Sequence, residues 1–314
     1  MTTTSIAICT YNGEKYLAEQ LESILSQTVK ADEIVVCDDG SKDKTTEILQ
    51  EYQLKNPGLF KIMVNETNLG YFKNFEKAIY ACKGDIIITS DQDDIWEINK
   101  IEVTKDFFDK NPDYDGVFND LEIINNDYQI NEPSYLNWKH ISYKFLEENI
   151  INNTLFVQQQ IMGSFVLGCA LAVKRSALQQ YGLSNFEIAH DYFIAQKLSA
   201  KGRLGFIPQT LSKYRQHEDQ VCGLREAMEN TPKIKGDNEK SYFQSLVGPF
   251  LLAIRKYRLL YPDENVQSTP LYRIFLENRN TYLQSLSFLK RKKYILQCIR
   301  HHYLDLHFTD FFKY

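Results

Sequence analysis

The first 96 residues repeat one pattern, in which a short apolar run is followed by a polar loop and then by an amphipathic segment. The apolar runs have the length of buried strands and occupy residues 5–9, 31–37, 61–65 and 85–90. The amphipathic segments have apolar residues at helical spacing and occupy residues 14–27, 44–54 and 72–82. Strands that alternate with helices predict an α/β domain with a mostly parallel central sheet flanked by helices.

The pattern becomes less regular after residue 96. Short strands are predicted at 115–118 and 166–173, short extended pieces at 206–208 and 212–214, and helices at 100–110, 174–181 and 190–200. Residues 119–153 are rich in Asn, Tyr and Glu and are predicted to be irregular. From about residue 223 the alternation stops, and residues 237–261 and 271–307 have helical patterns. We therefore predict a domain over 1–222 and a helical appendage over 223–314.

Composition limits the class of protein. A chain of 314 residues with 43% hydrophobic and 25% charged residues is globular. Its net charge of -5 argues against nucleic acid as a partner. The six cysteines show no paired spacing, no signal peptide is evident at the N-terminus, and the apolar run 161–173 is too short to span a bilayer. We therefore expect a cytoplasmic protein with reduced thiols.

Polar loops follow three of the predicted strands, at 10–12, 38–41 and 91–94. Because the carboxyl ends of parallel strands meet at one edge of a sheet, these loops are expected to converge on one crevice. In an extended chain, Asp91 and Asp93 would point the same way, about 6 to 7 Å apart. Clustered carboxylates repel one another unless a cation lies between them. Mg²⁺ or Mn²⁺ held by one or two carboxylates and by ligand phosphates satisfies this requirement.

Two other interpretations of the acidic loop compete with a metal site. An EF-hand calcium loop is excluded, because Ile95 and Trp96 stand where that motif needs Asp or Asn and then Gly. An isolated Asp-x-Asp motif is more simply interpreted as solvated charges at the end of a strand. The neighbouring polar loops at 10–12 and 38–41 favour a ligand site over that interpretation.

Several ordered motifs together resemble the inverting glycosyltransferase family 2, which has the GT-A fold. The motifs are Cys9-Thr10-Tyr11-Asn12, Val36-Cys37-Asp38-Asp39-Gly40-Ser41, Asn68-Leu69-Gly70 and Ser90-Asp91-Gln92-Asp93-Asp94-Ile95-Trp96. The resemblance covers roughly residues 4 to 220. With His190-Asp191 and Tyr214-Arg215-Gln216-His217 downstream, the chain looks most like rhamnosyltransferase-type members that build bacterial surface polysaccharides.

The resemblance implies roles for particular residues. The nucleotide-binding positions are Thr10, Tyr11, Asn12, Asp38, Asp39 and Asp91, with Asp39 on a uracil or thymine ring and Asp91 on the ribose. Asp93 and His217 would hold Mn²⁺ or Mg²⁺, and Asp191 would be the catalytic base. His190 stands where the family usually has Glu. Together with Asp94 and Trp96, it is a candidate contact to the acceptor or the sugar.

The resemblance also implies the reaction. Asp191 would take a proton from an acceptor hydroxyl as that oxygen attacks the anomeric carbon of a dTDP- or UDP-linked sugar, with inversion. Residues 1–96 would form the nucleotide-binding half of the domain and 97–222 the acceptor half. Processive members of the family carry a Gln/Arg-x-x-Arg-Trp motif and membrane-spanning helices, and neither is found in this sequence. This favours addition of a single sugar to a saccharide, either free or polyprenyl-linked.

Basic clusters at 255–258, 290–293 and 300–302 are interleaved with apolar residues in the predicted C-terminal helices. They indicate either docking on the anionic inner face of the plasma membrane or an ordinary solvated helix face. Two other functions also stay open from sequence alone. These are a sugar-nucleotide nucleotidyltransferase, which needs a Gly-rich triphosphate loop that residues 10–15 do not resemble, and a non-catalytic nucleotide- or carbohydrate-binding module.

Overall fold

A computed structural model describes residues 2–182, 189–218, 220 and 247–300, with side chains as far as residue 296. The described residues form two compact units. The first belongs to Met1–Ile151 and Ser164–Ala227, and the second to Asn152–Gly163 and Met228–Tyr314. The domain boundary predicted at residue 222 falls outside the described residues.

A nine-stranded sheet organises the first unit. Its strands are β1 (Thr4–Thr10), β2 (Glu33–Asp38), β3 (Phe60–Val64), β4 (Ile86–Ser90), β5 (Ile95–Trp96), β6 (Gly116–Ile124), β7 (Ile130–Glu132), β8 (Leu171–Lys174) and β9 (Leu204–Arg215). The order across the sheet is β3-β2-β1-β4-β8-β6-β9-β5, and β7 pairs with β6. Strands β3, β2, β1, β4, β6 and β9 run in one direction, because only the pairings of β8, β7 and β5 are antiparallel.

Helices flank this sheet and make up most of the described part of the second unit. Those of the first unit are α1 (Leu17–Leu25), α2 (Thr45–Lys55), α3 (Tyr71–Ala81), α4 (Lys100–Lys110), α5 (Tyr135–Trp138), α6 (Tyr143–Ile151), α8 (Arg175–Tyr181) and α9 (His190–Ala200). Those of the second unit are α7 (Leu155–Met162), α10 (Gly248–Leu260), α11 (Pro270–Ser285) and α12 (Phe288–Arg300). Within the described ranges, no helix has both the length and the apolar character needed to cross a bilayer.

Helix α1 shows how the local pattern produces the packing. Leu17, Leu21 and Ile24 recur every three or four residues, so they share one face of the helix. All three are buried in the core cluster with Ile6 and Ile8 of β1. Burial of such side chains stabilises the fold by roughly 1.5–3 kcal/mol each. This packing holds the β1–α1 loop at the carboxyl edge of the sheet.

Strand order places a crevice at that edge. The chain leaves β1 for β2 on one side, and β4 pairs with β1 on the other. Ligands of open α/β sheets bind where connections diverge in this way. The loops after β1, β2 and β4 therefore lie side by side at the carboxyl ends of their strands.

Some local predictions were wrong. The segment 119–153, predicted to be irregular, contains most of β6 together with β7, α5 and α6. The extended pieces at 206–208 and 212–214 form the single strand β9, whose pairing with β6 shifts register at Pro208 and Gln209. Proline has no N–H for the ladder, so an irregularity there is expected.

Three further corrections concern chain shape. Residues 91–94 form a turn between β4 and β5, so the face-sharing argument for an extended Asp91 and Asp93 does not apply. The strand predicted at 166–173 is confined to β8 and follows a short 3₁₀ turn, Gly168–Ala170. The continuous helix predicted over 271–307 is interrupted between α11 and α12, and its end lies outside the described residues.

Candidate active site

The loop after β1 is joined to the loop after β4 by one side chain. The Tyr11 N–H donates to Oε1 of Gln92 over 2.8 Å, and Nε2 of Gln92 donates to the Tyr11 carbonyl over 3.1 Å. Gly13 lies beside this amide, and a Cβ at that position would lie 2.2 Å from the same Oε1, so a larger residue would displace the Gln92 side chain. Tyr11 itself is 40% exposed. Its ring is therefore available to a ligand at the crevice.

The same loop is joined to the one after β2. The Asn12 N–H donates to Oγ of Ser41 over 2.9 Å, and Oδ1 of Asn12 accepts from the Lys42 N–H over 2.8 Å. Asn12 has a φ of 48°, a left-handed conformation that Asn tolerates better than most residues. These bonds fix the backbone that the sequence assigns to nucleotide binding.

Asp38 is fully buried and organises the loop that follows it. Its carboxylate accepts from the Thr10 hydroxyl over 2.8 Å and from the Ser41 hydroxyl over 2.5 Å. The backbone N–H groups of Gly40 and Ser41 donate to its other oxygen. Asp38 and Thr10 are therefore placed as supports of the loop, one layer behind its surface.

Asp39 lies beside them and is 3% exposed. Its carboxylate accepts from Nδ2 of Asn65 over 2.9 Å and from the N–H groups of Leu69 and Gly70 over 2.7 and 2.9 Å. An ionised carboxylate has about four acceptor positions, so one position stays open for a further donor such as the imino N–H of a pyrimidine. The Asn-Leu-Gly turn thus orients Asp39.

The turn after β4 concentrates acidic groups. Single ligand atoms of Asp91, Asp94 and Cys169 lie within 4.8 Å of one another. Withdrawal from water, then the nearby charge of Asp94, raises the pKa of Asp91, and burial raises that of Asp94 to about 7. Burial also raises the pKa of the Cys169 thiol. A protonated thiol is a poor ligand for Mg²⁺ or Mn²⁺, so this trio is not the predicted metal centre.

A buried cation lies close to this turn. Nζ of Lys100 donates to the Cys169 carbonyl and to the Ser212 hydroxyl, each over 2.6 Å, and lies 4.3 Å from the ring centroid of Trp96. Burial lowers its pKa to about 8, while the charges of Cys169, Asp94 and Asp91 act in the opposite direction. Trp96 is 4% exposed, and Asp94 is 1% exposed. Both are placed behind the crevice surface.

Asp93 and His217, the two residues that the resemblance implies as metal ligands, are in contact. Oδ2 of Asp93 lies 2.8 Å from Nε2 of His217. The His217 ring lies 4.7 Å from that of Tyr16, and among the described residues no group pairs with its Nδ1. A carboxylate oxygen facing an imidazole nitrogen is a donor set that suits a divalent cation. These two side chains therefore fit the metal ligands that the resemblance implies.

Arg215, at the end of β9, holds this region together and is fully buried. Its Nε donates to the Asp93 carbonyl over 3.0 Å, its backbone N–H donates to Asp94 over 3.2 Å, and its Nη2 pairs with Glu19 over 2.6 Å. The guanidinium lies between the rings of Tyr16 and Tyr128, which are 4.7 and 4.8 Å away. One side chain thus links β9, α1 and the acidic turn.

Asp191 and His190 open helix α9. The Tyr192 N–H donates to Oδ1 of Asp191 over 2.6 Å. The Asp191 charge is close enough to raise the pKa of Asp91, so the two carboxylates belong to one electrostatic cluster. His190 is 9% exposed, stacks on Phe75 with ring centroids 4.1 Å apart, and has no partner for either ring nitrogen among the described residues. Burial lowers its pKa, which favours a neutral imidazole.

The fold and the acidic crevice define a glycosyltransferase of the GT-A fold, as the sequence motifs predicted. The sequence model of Glycosyl transferase family 2 matches residues 5–182, more than half of the chain. The chain therefore belongs to glycosyl transferase family 2 and is a glycosyltransferase enzyme.

Relatives by sequence agree with this assignment. An uncharacterized glycosyltransferase of Haemophilus influenzae is 27% identical over 301 residues, which cover 91% of this chain and 90% of that protein. The dTDP-rhamnosyl transferase RfbG of Shigella flexneri is 29% identical over 234 residues, which cover 69% of this chain and 73% of RfbG.

Solved structures show the same fold. Residues 1–349 of TarS from S. aureus, in complex with UDP-GlcNAc, match with a TM-score of 0.56 at 15% identity, over 96% of this chain and 88% of that chain. The mannosyltransferase PcManGT of Pyrobaculum calidifontis, in complex with GDP-Man and Mn²⁺, matches with a TM-score of 0.55 at 18% identity, over 90% and 70% of the two chains.

Three supporting residues were not found from sequence, namely Gln92, Lys100 and Arg215. Gln92 and Arg215 stand inside motifs, but a motif does not say which of its members face the ligand. The residue type of Lys100 gave no signal, because a lysine in a polar helix is normally exposed. Its position in the helix could have indicated burial, since Lys100 and Thr104 lie on the buried face of α4 with Ile101.

Proposed function

We propose that this enzyme transfers a single sugar, with inversion, from a dTDP- or UDP-linked donor to a hydroxyl of a saccharide acceptor in bacterial surface polysaccharide synthesis. The observation that carries the proposal is the facing pair of Asp93 and His217, at 2.8 Å, in the same acidic cluster as Asp191. The name of RfbG supports a dTDP-rhamnose donor, and the UDP-GlcNAc bound to TarS supports a UDP-hexose.

Each part of the donor has a candidate partner in the crevice. The exposed ring of Tyr11 and the open acceptor position of Asp39 suit a uracil or thymine base, and we assign Asp91 to the ribose. Asn12 holds the loop on which Tyr11 lies, while Thr10 and Asp38 support it from behind.

Asp93 and His217 would hold Mn²⁺ or Mg²⁺, and a nitrogen ligand favours Mn²⁺ over the harder Mg²⁺. The Mn²⁺ bound to PcManGT supports this assignment. Such a cation stabilises negative charge on a departing nucleoside diphosphate. Arg215 orients the metal loop by binding the Asp93 carbonyl.

Asp191 accepts the proton of the attacking hydroxyl. A carboxylate is a modest base, but the hydroxyl becomes acidic as its bond to the anomeric carbon forms, so a late proton transfer suits it. The preceding residue, His190, presents a neutral imidazole that can bind a second hydroxyl of the acceptor or the sugar. Asp94 and Trp96, both buried, keep the turn in place behind these groups.

The test uses dTDP-rhamnose, UDP-glucose and UDP-N-acetylglucosamine, each with and without Mn²⁺, and measures release of the nucleoside diphosphate. We expect Mn²⁺-dependent release from at least one donor and about a 100-fold or greater loss in Asp191→Asn. Asp109→Asn, an exposed acid on α4, is the matched control and should keep full activity.

Two results would contradict the proposal. Release of pyrophosphate from UTP or dTTP in the presence of a sugar 1-phosphate would identify a nucleotidyltransferase instead. Nucleotide-sugar binding with no turnover of any donor would identify a binding module. The proposed location is the cytoplasm, at the inner face of the plasma membrane, where a lipid-linked acceptor is found.

A further inference from the structure

Helix α12 has one exposed face on which apolar and basic side chains alternate. Leu289 and Leu296 are 79% and 45% exposed, and Lys292 and Lys293 lie between them. Positions 289, 292, 293 and 296 follow the spacing i, i+3, i+4, i+7, so the four side chains share one side of the helix. We call these four residues the outer face of α12.

Other side chains of α12 pack within its own unit. Ile295 is fully buried, and the Tyr294 ring lies 5.4 Å from that of Tyr282 in α11. Arg291 turns back to donate to the carbonyls of Gln284 and Leu286 at the end of α11. The helix is thus fixed by this side, and Leu289, Lys293 and Leu296 of the outer face are exposed.

The charge on this helix has a single sign. Its sequence, Phe-Leu-Lys-Arg-Lys-Lys-Tyr-Ile-Leu-Gln-Cys-Ile-Arg, contains no acidic residue, although the whole chain has a net charge of -5. Phe288, 66% exposed, begins the helix, and Nζ of Lys292 lies 5.4 Å from its ring centroid. An overall acidic protein would be repelled from an anionic surface except through such a local basic face.

A second helix of the same unit repeats the pattern. In α10, Leu252 and Leu259 are 49% and 75% exposed, and the exposed Arg255 lies between them at helical spacing. The 14 residues after α12 include five Phe or Tyr residues, a composition that favours the membrane interface. Basic and apolar positions therefore recur together through the C-terminal sequence.

We propose that the outer face of α12 docks on an anionic phospholipid surface, with its leucines entering the interfacial layer and its lysines binding lipid phosphates. Exposed leucines that flank lysines fit this partner, because lysine stems bury along apolar surface while the ammonium groups stay in water. The inference deepens the proposed function, since it names the surface on which a lipid-linked acceptor is met. Vesicle binding needs no donor sugar, so it can fail or succeed independently of transfer.

The experiment measures cosedimentation of the full chain with phosphatidylcholine vesicles, with and without phosphatidylglycerol, at low and high salt. We expect binding only to the anionic vesicles, and weaker binding at high salt. Replacing Lys292 and Lys293 together by Gln should weaken binding by about 25-fold, roughly fivefold for each charge. Leu289→Ser should weaken binding as well, with an unchanged far-ultraviolet circular dichroism spectrum.

Matched controls come from the first unit. Lys110→Gln with Lys144→Gln removes two exposed lysines that carry the same charge, and Leu54→Ser alters a leucine that is 83% exposed. These variants should bind like the wild type. The proposal is overturned by no binding of the wild type, by equal binding to neutral vesicles, or by an equal loss in the control variants.

Discussion

Lys100 is a buried cation whose charge acts on the acidic turn. It is 1% exposed, and its partners are a carbonyl and a hydroxyl instead of a carboxylate. The charges of Asp91 and Asp94 are nevertheless near enough to act on its pKa. A cation in this position offsets part of the repulsion among the carboxylates above it.

The stability of the enzyme should therefore depend on pH through Lys100. Its pKa falls from an ordinary 10.5 to about 8 in the folded state. The folded state therefore binds fewer protons than the unfolded chain between these values, and stability rises with pH across that window. Below pH 8 Lys100 is protonated in both states, and burying its charge lowers the free energy of unfolding by about 3 kcal/mol, as expected from a pKa shift of this size.

Urea unfolding of wild type and Lys100→Met in metal-free buffer, from pH 7 to 10, tests this dependence. The free energy of unfolding of the wild type should rise relative to that of the variant as pH increases above 8. Lys110→Met, which alters an exposed lysine of the same helix, should show no such trend. A difference between wild type and Lys100→Met that does not change with pH would contradict the shift.

Among the elements, strand β9 brings the buried Arg215 to the site. It pairs with β6 along most of its length and with β5, and its last residue is Arg215. From sequence it was divided into two extended pieces, because Pro208 interrupts the pattern. Its full extent depends on hydrogen bonds to residues about 90 positions earlier in the chain, which no local pattern reveals.

Removing the Arg215 guanidinium should loosen β9 from the acidic turn. Arg215→Met keeps the apolar stem between Tyr16 and Tyr128 but leaves Glu19 and the Asp93 carbonyl without their donor. We expect the free energy of unfolding to fall by about 2–4 kcal/mol. This is less than for a fully buried ion pair, because Glu19 is partly exposed. Urea unfolding followed by circular dichroism measures it.

The control is Lys213→Met, two residues earlier on the same strand. Lys213 forms an exposed ion pair with Glu97 over 3.4 Å, and such pairs contribute about 0–1 kcal/mol. Equal stability of the Arg215 and Lys213 variants would show that the buried guanidinium does not hold the site.

The elements differ in how far the sequence could predict them. Strands β1 to β4 and helices α1 to α3 were found because each depends on local periodicity. The elements within residues 119–153 were not found, because some of the polar residues there are buried and hydrogen-bonded to one another. Asp120, fully buried, accepts hydrogen bonds from Ser134 and Tyr143 and thereby fastens α5 and α6 to β6. Polar residues that satisfy one another are indistinguishable in sequence from residues in a solvated loop.

The same contrast holds for the site. Acidic and polar residues at strand ends were predicted, because parallel strands bring their carboxyl ends together. The sequence could not predict which of these residues face the crevice, because that depends on which of them are already hydrogen-bonded to other parts of the protein. Asp38 and Asp39 are neighbours in sequence, yet the carboxylate of Asp38 accepts four hydrogen bonds, from Thr10 and from its own loop, whereas Asp39 keeps one acceptor position open.

At the scale of the whole molecule, residues 152–163 belong with the C-terminal helices although they interrupt the first unit in sequence. Helix α7 packs against α10 in the second unit and buries Leu155, Phe156 and Val157. A chain that ends at residue 222 would keep α7 but lose its partners. Exposure of such an apolar face promotes association.

We therefore expect the chain truncated after residue 222 to be aggregated on size-exclusion chromatography under conditions where the full chain is not. Leu155→Ser combined with Phe156→Ser should reduce that aggregation in the truncated chain and destabilise the full chain. A truncated chain that is monodisperse and as stable as the full chain would contradict this interdependence.

The most direct test of the crevice is the melting temperature of the wild type and of Asp93→Asn, measured with UDP or dTDP and with Mn²⁺, separately and together. We predict a rise only when nucleotide and Mn²⁺ are both present, corresponding to about 2.7 kcal/mol at 100 times the dissociation constant. The rise should be absent in Asp93→Asn and preserved in Asp106→Asn, which alters an exposed acid of α4. An equal rise in Asp93→Asn, or no rise in the wild type, would contradict the assignment of this crevice as a metal-assisted nucleotide site.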